Sequence, residues 1–85
     1  MTTTVSTETH QFVIRPHWRH PDAFEVEFRP LNPKTGKPWQ ASHRVREGAD
    51  VQIPGYAWPT AYSTFAGAEK ALTWKVAQMR TGKAR

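Results

Sequence analysis

His17 and His20 stand three residues apart with Asp22 close behind, the spacing in this chain nearest to a metal site. A zinc site takes four protein ligands, or three and a water, and a helical pair of histidines is held at i and i+4. Here the pair falls in a loop signal, His20-Pro21-Asp22, with no further ligands beside it. The expectation is a solvated polar loop, and no metal is assigned. His10 opens an apolar run without a partner, and His43 shares its parity with Trp39, Ala41 and Val45, as a packed histidine would. Glu25 and Glu27 share one strand face, but the register derived below sets an arginine opposite each, which favours two ionised surface pairs over a general acid and base. The five glycines, at 36, 48, 55, 67 and 82, are scattered and form no phosphate-cradling loop. With no cysteine there is no disulfide and no thiolate ligand. No catalytic residue, cofactor or small-molecule substrate is therefore expected, and the chain does not read as an enzyme.

The basic residues carry more information. Twelve Lys and Arg against seven Asp and Glu give a formal charge of +5, which favours polyanionic or acidic partners. Arg15, Arg29, Arg44 and Arg46 fall on one side of three strands, and Lys34 and Lys37 flank a turn. Such a surface suits nucleic acid, phosphate contacts giving affinity and base contacts specificity. Trp18, Trp39 and Trp58 add rings on which unpaired bases can stack. Against this, Glu25 and Glu27 occupy the central strand and repel phosphates. The alternative is a protein-interaction module, either a homodimer or a small accessory or inhibitory protein. Its anchors would be Trp74 with Lys70 and Ala77 on the helix, together with Tyr56, Trp58 and Tyr62, and the positive charge would steer an acidic protein.

The elements that must position these residues follow from periodicity. Phe12, Ile14, Pro16 and Trp18 share one parity, and Phe24, Val26 and Phe28 another run of the same kind, each interleaved with polar or charged residues. That is the signature of half-buried strands. Setting Phe12 opposite Phe28 places Ile14 against Val26, Pro16 against Phe24 and Arg15 against Glu25. One face becomes an apolar ladder and the other carries an attractive pair. A slip of one residue would mix the two sets. Residues 32–38, Asn-Pro-Lys-Thr-Gly-Lys-Pro, read as a turn. Residues 39–46 alternate again as a third strand, with Val45 opposite Val26, Arg44 opposite Glu27 and Arg46 opposite Glu25. Residues 51–53 could add a fourth, edge strand. The aromatic, proline-bearing stretch 56–62 is expected to lie over an end of the core, because a solvated loop seldom carries three large aromatics.

From Thr64 to about Arg80 the period becomes helical. Thr64 suits an N-cap, and Phe65, Ala68, Leu72, Val76 and Met79 form one stripe facing the sheet. Trp74 lies about half a turn from that stripe and so belongs to a second face. Thr64-Phe65 followed by Ala68-Glu69, after a three-stranded sheet, resembles the start of the helix in the sheet-plus-helix DNA-binding domains of integrase arms. The resemblance covers only the helix start and the element order, and it implies DNA contact by the sheet. Those domains pass quickly from third strand to helix, whereas here residues 47–62 intervene.

The whole reads as one α+β domain: a three-stranded antiparallel β-meander, four-stranded if 51–53 joins it, with one C-terminal helix packed on one face. Residues 1–9 are expected to be a disordered tail, 10–81 the domain and 82–85 a frayed basic end. The start has neither the charge nor the apolar run of a signal peptide, and nothing approaches the ~20 apolar residues of a membrane span. A cytoplasmic location is the default expectation.

Overall fold

The computed structural model describes residues 2–80. Four strands form one antiparallel sheet in the order β1-β2-β3-β4: β1 at Thr3–Ser6, β2 at His10–Pro16, β3 at Phe24–Pro30 and β4 at His43–Val45. One helix, α1, runs over Phe65–Arg80 and packs on the sheet. The α+β meander is thus present, but its fourth strand lies elsewhere than expected. Thr3, Thr4 and Val5, read above as part of a polar tail, form an outer strand paired with β2, Val5 opposite Phe12. Their β-branching favours strand over coil even though the segment is polar. The turn that returns the chain is held by Thr7, whose hydroxyl accepts from the His10 N–H at 3.1 Å.

The central register is the one the apolar ladder requires. Phe12 faces Phe28, Ile14 faces Val26, Pro16 faces Phe24 and Arg15 faces Glu25. Val26 faces Val45 and Glu27 faces Arg44 on the other side of β3. Phe12, Ile14, Val26 and Val45 are buried together with Ala68, Ala71 and Leu72 of the helix, and Phe65, Val76 and Met79 close the margin. Burying each of the large members contributes roughly 1.5–3 kcal/mol.

The third strand is shorter than its alternation suggests. Leu31 bridges to Pro38 and Phe28 pairs with His43, so four residues, 39–42, stand against two, Arg29 and Pro30, and the chain bows outward. Pro30 and Pro38 have no N–H to give a ladder there. Trp39 and Ala41 are exposed as a result, and His43 is exposed at the sheet edge with its ring against Phe28. Beyond Val45 the strand position beside β3 passes to Tyr62, which bridges to Phe24, so Arg46 does not face Glu25. Val51 in turn makes an isolated bridge to Ala61, which is all that residues 51–53 contribute to the sheet.

The helix begins as its sequence requires. The Thr64 hydroxyl accepts from the Gly67 N–H at 3.0 Å, satisfying a donor of the first turn. Just upstream, the Asp50 carboxylate accepts from the Ser63 N–H at 2.9 Å, which fixes the approach to the cap. No helix among the described residues is long and apolar enough to cross a membrane.

Candidate functional site

The face of the sheet away from the helix is where the charged positions of β2, β3 and β4 converge. Its centre is Glu25, only 3% exposed. Glu25 accepts from Arg15 Nε at 3.0 Å and from Arg44 Nη2 at 3.2 Å, and the second guanidinium nitrogen of Arg15 pairs with Glu27. The guanidinium of Arg15 is held more firmly in its charged form, chiefly by its hydrogen bond to Glu25. Beside this cluster Gln11, Val13, Arg15, Glu27, Arg29 and Ser42 line a groove of about 260 Å³.

One end of the face is covered. The stretch between β4 and α1 folds across it, and Ile53 and Ala61 pack with Ala23 in a small second core flanked by Val51 and Tyr56. Tyr56 also receives the Arg44 guanidinium, 5.3 Å from its ring centre. The β2–β3 loop is drawn in as well. Arg19 donates to the Pro54 carbonyl at 3.4 Å and lies over the Trp18 ring. His17, expected in a solvated loop, is 1% exposed, and its Nδ1 accepts from the Arg19 N–H at 3.1 Å. The His17 and His20 rings are 6.2 Å apart, and among the described residues no group of three His, Asp or Glu could hold a metal ion. Around this second core the Nε2 of His17, the Nε of Arg44 and the Oγ1 of Thr60 are buried without a hydrogen-bond partner among the described residues.

No family model, curated protein or solved structure matches this chain.

Its own geometry is therefore what sorts the candidate residues. Of the basic set, Arg15, Arg29 and Arg44 do share the helix-free face, but Arg15 and Arg44 are bound to carboxylates. Arg46 is exposed just past β4, and Lys34 and Lys37 are exposed on the turn between β3 and β4. In that turn Asn32 accepts from the Lys34 and Gly36 N–H groups, at 2.8 and 2.7 Å. Gly36 supplies the required positive φ of 71°. The aromatic set divides. Trp18, Trp39 and Trp58 stand 76%, 55% and 65% exposed on three loops. Trp18 and Trp58 belong to the two loops that Arg19 ties together at one end of the sheet, and Trp39 follows the turn at the other end.

The proposed interface residues are not brought together. Trp74 and Lys70 line a mostly apolar cleft of about 330 Å³ with Glu47, Gly48, Gly67 and Ala71. Ala77 is exposed further along the helix. Tyr56 lies on the opposite side of the sheet, and Tyr62 is a core residue and not a surface one. Its hydroxyl donates to the carbonyls of Val45 and Glu47, at 3.2 and 2.9 Å. Burial, reinforced by Glu47 and Asp50, pushes its phenol up to about 12.

Two participants were not visible as such in the sequence. Glu25 reads as a surface carboxylate because nothing local announces that residues 51–61 will cover it. Arg19 is given no role by the sequence, although it joins the two aromatic loops.

Proposed function

We propose that this chain is a non-catalytic basic module that binds single-stranded nucleic acid. The observation that carries the reading is the exposure of Trp18, Trp39 and Trp58 on loops at both ends of the sheet, with Arg19, Arg29, Lys34, Lys37 and Arg46 in the same strands and loops. Proteins that hold unpaired strands combine a cationic track for the backbone with rings for the bases, each stacked base contributing about 1–3 kcal/mol. The two ends are separated by the length of β3, seven residues, or roughly 20 Å, a span for a few nucleotides.

The reading places phosphate contacts at the rim and the loops. The centre of the face is self-neutralised by Glu25 and Glu27 and supports the architecture instead. Deeply inserted duplex is disfavoured, because a groove would bring both carboxylates against phosphates. An anisotropy titration with a labelled single-stranded homopolymer tests this. Affinity should fall linearly in log–log form as salt rises, with a slope near 0.7 per phosphate neutralised. The absence of binding at low salt would dismiss the reading, and equal binding to duplex would dismiss its single-strand preference.

A further inference from the structure

We propose that the cleft beside Trp74 is the seam of a symmetric homodimer, its occupant being a second copy of this chain. This goes beyond nucleic-acid binding and does not depend on it, since the cleft is built from the helix and the Glu47–Gly48 turn and not from the helix-free face.

The cleft combines a projection and a hollow on one patch. Trp74 is 42% exposed, off the stripe that packs on the sheet. Beside it, Gly48 and Gly67 carry no side chain and Ala71 only a methyl. The hollow is held open by the fold. Gly48 adopts a φ of 78°, which disfavours any larger residue there. At Gly67 a Cβ would stand 3.1 Å from the Thr64 hydroxyl that caps the helix. The Tyr62 hydroxyl pins the Glu47 carbonyl, so the turn cannot swing away. The cleft's 330 Å³ corresponds to about ten waters in liquid, and an indole entering from outside would displace them.

A second copy fits better than an unlike partner because the rim is self-complementary. Glu47 and Lys70, of opposite sign, both line the cleft. Under a two-fold axis, residue i meets j and j meets i, so Lys70 of each copy can meet the partner's Glu47 while each Trp74 enters the other hollow. An acidic partner would satisfy Lys70 and be repelled by Glu47. A polyanion would fare worse still. With a net charge of +5 two copies repel elsewhere, whereas at this apolar cleft Glu47 offsets Lys70, with Lys75 5.9 Å from the Trp74 ring.

Sedimentation equilibrium of the whole chain, over about a hundredfold range of concentration reaching the millimolar range, reads the proposal directly. The mass should rise from that of one chain toward that of two. Trp74→Ala should weaken the dimer about thirtyfold, the effect of losing a central aromatic anchor. Because Trp74→Ala could also disturb the helix, the charges provide an independent arm on two exposed side chains. Lys70→Glu and Glu47→Lys should each weaken the dimer, and the two together should restore it. A mass that stays at one chain throughout overturns the proposal. So do open-ended assembly, a dimer indifferent to Trp74→Ala, and a double reversal that fails to restore association.

Discussion

Arg44 stands opposite Glu27 in the strand register, yet its guanidinium donates to Glu25, two residues back along β3. Glu27 is taken by Arg15, which also holds Glu25. The crossed arrangement leaves the buried carboxylate with two cations and the more exposed carboxylate with one. Glu25→Gln keeps the shape and removes the charge, and it should cost about 2 kcal/mol. Glu27→Gln should cost less than about 1 kcal/mol, since its partner Arg15 is partly exposed to solvent and keeps its bond to Glu25. Urea denaturation of the two variants compares them, and equal losses would show that burial of Glu25 does not set the difference.

Tyr62 links stability to alkaline pH. Its folded phenol is pushed up to about 12 from an ordinary value of 10, mainly by burial. The stability it contributes is intact below pH 10 and is lost as the pH rises through about 12. Thermal melts across that range should show a steepening decline in the wild type and a shallower one in Tyr62→Phe. Parallel declines would contradict the assignment.

Acid acts through different groups. His10 is shifted below 6.5 by burial and then by the nearby charge of His43, so its contribution is present above 6.5 and fades as the pH falls through its lowered value. Asp50 is shifted below 3.8 by the Ser63 hydroxyl and then the Ser63 N–H, and its contribution fades only below 3.8. Melting temperature should therefore decline in two stages. In His10→Gln the upper stage should shrink while the lower stage stays.

Thr60 offers a test of opposite sign. Its hydroxyl is buried without a partner among the described residues, so Thr60→Val should be neutral or stabilising by up to about 1 kcal/mol. A clear destabilisation would mean that the hydroxyl has a partner in solution.

The parts of this fold that were legible in sequence are those in which a local pattern and a cross-strand pattern agree. Phe12, Ile14, Val26 and Phe28 alternate and also pair without conflict, so only one register satisfies both faces, and Thr64 with the Phe65-to-Met79 stripe specifies the helix in the same redundant way. The N-terminal strand was hidden because Thr3, Thr4 and Ser6 are polar and their pairing depends on the open edge of β2. The burial of His17, Glu25 and Tyr62 was hidden for one shared reason. Each depends on the path of residues 47–62 between β4 and α1, a stretch with no periodicity, in which Pro54, Pro59 and the positive-φ Gly55 set the route. The candidate site inherits this limit: its tryptophans could be named in advance, but the neutralisation of Arg15 and Arg44 could not.

Intrinsic tryptophan fluorescence is the most direct probe of nucleic-acid binding, because the rings proposed to stack are also the reporters. Titration with a single-stranded homopolymer at low salt should quench the emission. Trp18→Ala, Trp39→Ala and Trp58→Ala should each diminish that quenching, and Trp74→Ala should leave it unchanged. Quenching that vanished only with Trp74, or emission indifferent to the strand, would contradict the reading.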